Sequence, residues 1–376
     1  MIKLKNVVKE FDKFTAVDGI TLEIPEGETC VLVGPSGCGK TTTLKMINRL
    51  YEPTAGEIYV EGENIRDVDP VELRRNIGYV IQRIGLFPHR TIKDNIATTP
   101  RLKKWQEREI ENRVDELLEM VGMDPERVKS MYPAQLSGGQ QQRVGLARAM
   151  AADPDLMLMD EPFAAVDPIT RDHLQNMFLK IQRKMAKTIV FVTHDINEAM
   201  KLGDRVAILR EGSLIQYDFP KNILAEPKNQ FVEDFVGSDR ALKILNLFQV
   251  EDLMLSDPPV LNLNDDYEQD LSNADPNTVF IVFEGEKAAG WIKAQEAQRV
   301  NDIGEVINPL AGAVEITASV KEAVAKMMQK GIDAVQVVEE GRFRGFLTMY
   351  YIREYVKDIC KVDRVDKEMA EVDLNL

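Results

Sequence analysis

A glycine-rich turn near the start of the chain ends in a lysine and two threonines: Gly34-Pro35-Ser36-Gly37-Cys38-Gly39-Lys40-Thr41-Thr42. It fits the pattern G-x-x-x-x-G-K-[ST]. It follows the apolar run Cys30–Val33 and leads into a helical pattern through Leu44 and Ile47. Glycines at those positions let backbone N–H groups approach phosphate oxygens, and the helix start adds the positive end of its dipole. Lys40 is then placed to reach the outer phosphates of a nucleotide, and the Thr41 hydroxyl to hold Mg²⁺. Cys38 reads as a small loop residue. A second run, Leu156-Met157-Leu158-Met159, ends in two acids 120 residues after Lys40. Asp160 suits a metal ion and its water. Glu161 sits where a general base would polarise an attacking water. A third segment, Leu136-Ser137-Gly138-Gly139-Gln140, precedes a helical pattern carrying Arg143 and Arg148. A hydroxyl, two glycines and a helix start form a second anion cradle. One cradle already holds one face of the nucleotide, so the second points to a composite site built by two copies of the chain, a homodimer.

The elements that must position these groups are legible as patterns. Cys30–Val33, Leu156–Met159 and Ile189–Val192 are continuous apolar runs bounded by polar or turn residues. Such runs predict strands buried on both faces, as in a mostly parallel sheet covered by helices. Beyond about residue 88 the strand signal vanishes, and a helical insert is expected from there to about 150. Within it Val114, Leu117, Leu118 and Val121 fall at helical spacing. The last third holds an internal repeat. Residues Val282 to Ile292 recur as Val337 to Leu347 at an offset of 55, each copy predicting a strand, a tight polar turn and a strand. A helix with Val320, Ala323, Val324, Met327 and Met328 on one face precedes the second copy, and a shorter acidic stretch, Asp265 to Leu271, precedes the first.

Composition bounds the rest. The chain has 376 residues, 44% hydrophobic and 29% charged, which places it among ordinary globular proteins and excludes fibrous and disordered classes. No apolar run approaches the ~18 residues of a membrane span. The opening Met1-Ile2-Lys3-Leu4-Lys5 has no apolar signal core behind its lysines. Cys30, Cys38 and Cys360 give neither a disulfide framework nor a zinc site. These features predict a soluble, reduced, cytosolic protein. A net charge of −15 with three histidines argues against nucleic acid as a partner. The charge is uneven: residues 1–240 carry a net of −4 and residues 241–376 a net of −11.

Together the three motifs resemble the ATP-binding subunit of an ABC transporter, over residues 1 to about 236, with Leu136–Gln140 in the place of that family's signature. The resemblance implies an α/β P-loop NTPase with a helical subdomain, hydrolysing ATP with Mg²⁺. By position it implies that Gly34–Thr42 bind ATP and that Phe11 stacks on adenine, with Phe14 as the competing aromatic. Gln82, ahead of Gly85-Leu86-Phe87-Pro88-His89, matches the Q-loop glutamine. His194, in Thr193-His194-Asp195, matches the switch histidine. Glu161, His194 and Gln82 are thus the implied catalytic residues, and Thr41, Gln82 and Asp160 the implied Mg²⁺ site. Ser137, Gly138, Gly139, Gln140 and the D-loop residue Asp167 would act on the nucleotide of the partner subunit. Ala164-Ala165-Val166-Asp167 departs from the more usual Gly/Ser-Ala-Leu-Asp of that loop.

Phe87-Pro88-His89-Arg90-Thr91, Glu161-Pro162-Phe163 and Gln216-Tyr217-Asp218-Phe219-Pro220 resemble importer-type subunits. The C-terminal repeat resembles an α+β CBS-domain pair, with a link at 237–249, copies at 250–305 and 306–365, and an acidic tail at 366–376. An importer ATPase with such a pair is similar to the osmoprotectant subfamily, which takes up betaine, carnitine or choline. That resemblance implies transmembrane permease subunits, an extracellular substrate-binding protein, and a place on the cytoplasmic face of the membrane. Two other functions stay open: an ABC ATPase for a different small polar solute, and a soluble non-transport ABC regulator. In many CBS domains G-x-x-T-x-x-D ends in a ribose-binding aspartate. Here Tyr351 and Glu296 stand at that position, which argues against simple adenosine-nucleotide binding. Ionic-strength sensing, a regulatory nucleotide such as cyclic di-AMP, and a purely dimerising role remain the alternatives for the pair.

Overall fold

The apolar runs around the phosphate-binding turn become the middle of one six-stranded sheet. Its order is Ser213–Asp218, Arg205–Arg210, Thr29–Val33, Thr188–Thr193, Leu156–Asp160, Ile77–Val80. Neighbours pair parallel except the first, which is antiparallel to the second. Every residue of Thr29–Val33, Leu156–Asp160 and Thr188–Thr193 is buried, so these strands show no alternation of polarity. Parallel pairing requires crossovers, which bring in the helices Lys40–Ile47 and Pro168–Met185. The register lines up the carboxyl ends: Val33 pairs with Thr193, and Val192 with Asp160. Gly34, Glu161 and His194 are therefore each the first residue past the end of one of three adjacent strands. Ligands of open α/β sheets bind at this edge.

In this computed structural model the described residues are all except 83, 84, 165, 265–267, 277, 286, 301, 310, 311 and 361–376. Ala165 of the D-loop, Asp265 of the first acidic stretch and the expected tail 366–376 thus lie outside the described residues. Among the described residues no helix is long and apolar enough to cross a membrane.

An antiparallel sheet, Phe14–Ile24, Ile2–Phe11, Ala55–Val60 and Glu63–Asn64 in that order, covers the P-loop helix. Ile2, Leu4, Ile20 and Ile58 share one core with Leu44 and Ile47 of that helix and with Leu32, Leu158 and Val190 of the central sheet. Between the strands Ile77–Val80 and Leu156–Asp160 lie the helices Ile92–Ile96, Thr98–Leu102, Glu107–Met120, Pro125–Val128 and Gly138–Met150. Val114, Leu117, Leu118 and Val121 are all buried there. The loop entering this segment is held by the buried Asn95. Its amide donates to the carbonyls of Phe87, Arg90 and Thr91, and its oxygen accepts the Phe87 N–H at 2.7 Å.

The chain divides into two units, residues 1–223 with 227–238, and 224–226 with 239–376. In the second unit the 55-residue repeat is reproduced pair by pair. Val279↔Lys293, Ile281↔Trp291 and Val282↔Gly290 in one hairpin become Ala334↔Thr348, Gln336↔Phe346 and Val337↔Gly345 in the other. Both hairpins carry their register shift at the same place, after Val282 and after Val337. Each is preceded by a parallel strand, Val260–Asn262 or Ala313–Glu315. The glycines are not interchangeable with other residues. A Cβ at Gly290 would stand 2.4 Å from the Asn308 carbonyl, and one at Gly345 would stand 2.2 Å from that of Leu255. Val279, Ile281 and Trp291 of the first copy pack on Ala334 and Phe346 of the second.

The helix of the second copy, Val320–Lys330, buries Val320, Ala323, Val324 and Met327. Met328, expected on the same face, is 73% exposed. At 100° per residue it falls beyond Val324, which forms that edge of the stripe, so the buried face is narrower than its apolar residues suggest. The expected link also carries structure: a helix at Arg240–Leu247 buries Ile244 and Leu245, the latter within the core of the second copy.

Candidate nucleotide site

The P-loop is shaped by a close approach. Gly39 has φ 101°, and a Cβ there would lie 2.5 Å from the carbonyl oxygen of Ala16, so the turn into the helix Lys40–Ile47 requires glycine. The Lys40 side chain is buried in the loop. Its ammonium donates to the carbonyls of Gly34 (2.7 Å) and Pro35 (2.9 Å) and lies 3.7 Å from Cys38 Sγ. Next to it the Thr41 hydroxyl donates to Asp160 Oδ1 at 2.8 Å. Asp160 is 4% exposed. Burial raises its carboxyl above the ordinary range, while the Thr41 hydrogen bond, Lys45 and Lys40 work the other way.

Glu161 follows with a left-handed backbone, φ 45°. Its N–H donates to the Val192 carbonyl at 3.0 Å, which anchors it to the end of the neighbouring strand. Its carboxylate is the meeting point of the site. Gln82 Nε2 donates to Glu161 Oε2 at 3.2 Å, and His194 Nδ1 lies 3.3 Å from the same oxygen. His194 is 60% exposed on its side chain against 18% for Glu161. The three residues singled out as catalytic from three distant segments thus converge on one carboxylate, beside the Thr41–Asp160 pair. Thr41, Asp160 and Gln82 offer hydroxyl, carboxylate and carboxamide oxygens, the hard donors that Mg²⁺ takes alongside water and phosphate. That donor set fits the ion.

Both aromatic candidates belong to one cluster at the hairpin turn between the first two strands. Phe11 stacks on Phe14 at 5.4 Å, and Tyr51 meets Phe11 edge-on at 5.5 Å. Lys9 lies over Phe11 at 5.0 Å and Lys45 over Tyr51 at 5.4 Å. Sequence reasoning missed Tyr51. It sits just past the P-loop helix, in a turn where its N–H donates to the Lys45 carbonyl at 3.3 Å. Its one signal was an exposed aromatic close behind a phosphate-binding helix.

The second cradle is built as a helix cap. Ser137 begins the helix Gly138–Met150, its N–H donating to Gln140 Oε1 at 2.9 Å while the Gln140 N–H donates to Ser137 Oγ at 3.4 Å. A Cβ on Gly139 would stand 2.8 Å from Thr170 Cγ2, so this cap lies against the start of the helix Pro168–Met185. Asp167 caps that helix, accepting the Thr170 N–H at 3.0 Å, and this hydrogen bonding holds its carboxyl below the ordinary range. Among the described residues no hydrogen bond joins Ser137–Gln140 to Gly34–Thr42 within the chain. The structure therefore brings together Gly34–Thr42, Gln82, Asp160, Glu161 and His194, and separately Ser137–Gln140 and Asp167.

Comparison with known proteins agrees with this grouping. The ABC transporter family profile matches residues 17–164, and the CBS domain profile matches residues 303–358. The osmoprotectant import ATP-binding protein OsmV of Salmonella typhimurium is 44% identical over 95% of this chain and 96% of its own length. This chain belongs to the ABC transporter family, as an ATP-hydrolysing ATP-binding subunit. The glycine betaine/carnitine/choline transport ATP-binding protein OpuCA of Bacillus subtilis is 44% identical over 98% of this chain and 100% of its own. Among solved structures, the dimeric post-hydrolysis state of the ATP-binding cassette MJ0796, bound to ADP and Pi, matches with a TM-score of 0.53 and 38% identity. It covers 58% of this chain and 99% of that one. The first hairpin of the C-terminal repeat, residues 279–293, lies outside both matched ranges and is related to the second by the shared register described above.

Proposed function

We propose that two copies of this chain energise import of a quaternary-ammonium solute of the betaine, carnitine or choline type through a membrane permease. The observation that carries the ATPase chemistry is the convergence of Gln82 and His194 on Glu161. ATP binds with its phosphates over Gly34–Thr42 and its base on the Phe11–Phe14 platform. Lys40 exchanges its contacts with the Gly34 and Pro35 carbonyls for phosphate oxygens. Thr41, Asp160 and Gln82 would hold Mg²⁺, and the ion would supply positive charge against the phosphates of the nucleotide. Glu161 takes a proton from water as the water oxygen bonds to the γ-phosphorus. The bond to the bridging oxygen breaks, releasing ADP and inorganic phosphate. Gln82 orients Glu161 from one side, and His194, more exposed, faces the γ-phosphate from the other. Ser137, Gly138, Gly139, Gln140 and Asp167 close each site from the partner copy.

The solute class rests on the relatives whose names carry it and on the pairing of an ATPase with a CBS-type repeat. An extracellular or membrane-anchored binding protein delivers the solute, and the ATPase works on the cytoplasmic face. The repeat regulates transport, through ionic strength or a nucleotide such as cyclic di-AMP. The test is ATP hydrolysis by the subunit assembled with its permease and binding protein in vesicles. Glycine betaine, carnitine or choline should stimulate hydrolysis and accumulate. Stimulation by an unrelated polar solute alone would overturn the solute assignment.

A further inference from the structure

Two polar side chains lie behind the catalytic cluster without touching its reacting atoms. Gln175 and Glu198 are each 7% exposed, and Gln175 Nε2 donates to Glu198 Oε1 at 3.0 Å. Glu198 stands in the first turn of the helix Ile196–Leu202. Asp195 caps that helix, accepting the N–H groups of Asn197 (2.8 Å) and Glu198 (3.4 Å), while its own N–H donates to the Thr193 hydroxyl at 3.0 Å. His194 is thus held between two pinned residues, Thr193 at the end of its strand and Asp195 at the start of its helix. Burial raises the Glu198 carboxyl, and hydrogen bonding from Thr193 and Gln175 opposes this.

Gln175 belongs to the helix Pro168–Met185, which Asp167 caps. One turn earlier Arg171 donates to the carbonyls of Phe163 (3.3 Å) and Val166 (3.0 Å), gripping the segment that joins Glu161 to Asp167. Arg171 and Gln175 share one face of this helix. One holds the D-loop segment, and the other holds the helix that follows the switch histidine. Phe163, Phe178 and Phe191 pack against one another in the same region, and a Lys201–Asp172 ion pair of 2.6 Å joins the two helices at the surface. Well-packed apolar residues would fill the Gln175–Glu198 space with no polar group to desolvate. A hydrogen-bonded pair instead fixes one register between the two helices.

We infer that Gln175 and Glu198 are positioning residues: a buried strut that keeps His194 in register with the Asp167 loop. Hydrolysis at one site then depends on how the D-loop meets the partner subunit. This rests on the roles proposed above for His194 and Glu161.

The test uses the full-length protein. Gln175→Met fills the same space and removes the donor, whereas Glu198→Gln keeps an acceptor for Gln175. The strut predicts that Gln175→Met lowers kcat by about 2- to 30-fold, the span seen for coupling residues, and that Glu198→Gln retains most of the turnover. KM for ATP and ATP-driven dimerisation should stay near wild type in both, while the thermal midpoint of Gln175→Met falls because the buried Glu198 loses a hydrogen-bond donor. Unchanged kcat in Gln175→Met would overturn the strut. So would a parallel weakening of ATP affinity and of dimerisation, which a merely structural contact would give. If Gln175→Met does not fold, Gln175→Asn, which withdraws the donor by one methylene, is judged by the same readouts. Glu161→Gln measured alongside separates the two ideas. If it keeps normal turnover, the catalytic assignment fails; if it is inactive while Gln175→Met is normal, only the strut fails.

Discussion

Glutamine at position 161 would change one property of the site and leave its shape alone. The amide has the volume of the carboxylate and still offers an oxygen to Gln82, which donates to Glu161 Oε2 at 3.2 Å. The backbone anchor from the Glu161 N–H to the Val192 carbonyl is unaffected. What is lost is the capacity to accept a proton from water. General-base catalysis contributes about 10²- to 10⁴-fold, which at ~1.36 kcal/mol per decade is ~3–5 kcal/mol of barrier. The substitution also removes a negative charge beside Asp160, so the triphosphate is repelled less. Steady-state hydrolysis should therefore fall by about 10²- to 10⁴-fold, with ATP affinity equal or higher and an ATP-bound dimer accumulating on size-exclusion chromatography. Turnover within about tenfold of wild type, with ATP binding intact, would refute the reasoning. A larger loss in His194→Ala would then move the proton-accepting role to the histidine.

Asp160→Asn removes a charge that burial disfavours while keeping an oxygen for Thr41. Without nucleotide its thermal midpoint should rise, and Mg²⁺-dependent hydrolysis should be lost. Because the native carboxyl of Asp160 is raised, this group costs stability as pH climbs from the ordinary aspartate range through its native value, and the asparagine variant should lack that component in pH-dependent unfolding. Gly345→Ala drives a methyl to within 2.2 Å of the Leu255 carbonyl and should cost about 1–3 kcal/mol in chemical denaturation, with ATP hydrolysis preserved. Truncation after Gly237 should preserve ATP binding and basal hydrolysis but flatten the salt response of transport. Residues 241–376 carry a net of −11, and their reach in solution shrinks from ~10 Å at 0.1 M salt to ~3 Å at 1 M. Full salt activation in the truncated transporter would instead favour a ligand sensor or a dimer clamp.

The three middle strands of the central sheet were legible because both their faces are covered: apolar runs ending in Gly34, Asp160-Glu161 and Thr193-His194 needed only parallel pairing to meet at one edge. The convergence on Glu161 was implied by family resemblance, since nothing local in Gln82 or His194 announces a partner 79 or 33 residues away. Tyr51 escaped because an aromatic in a turn carries no periodicity. Gln175 and Glu198 escaped because a polar residue on an amphipathic helix reads as solvent-facing, and only packing between two helices shows them buried. Met328 erred the other way, as an apolar residue at the rim of a stripe. The hairpin repeat was visible from its spacing, but the partner that fills the space above each glycine was not. Asn308 and Leu255 come from outside the repeated segment.

The composite site is tested most directly by crosslinking. With Cys30, Cys38 and Cys360 replaced by alanine, Ser36→Cys and Ser137→Cys are introduced on separately tagged chains, mixed, and oxidised with and without ATP in a Glu161→Gln background. An ATP-dependent disulfide between chains joining positions 36 and 137, identified by mass spectrometry, is the expected result. If the two cysteines are instead placed on one chain and crosslink only within it, or if no interchain bond forms while ATP binds normally, the nucleotide is not shared between two copies and the account fails.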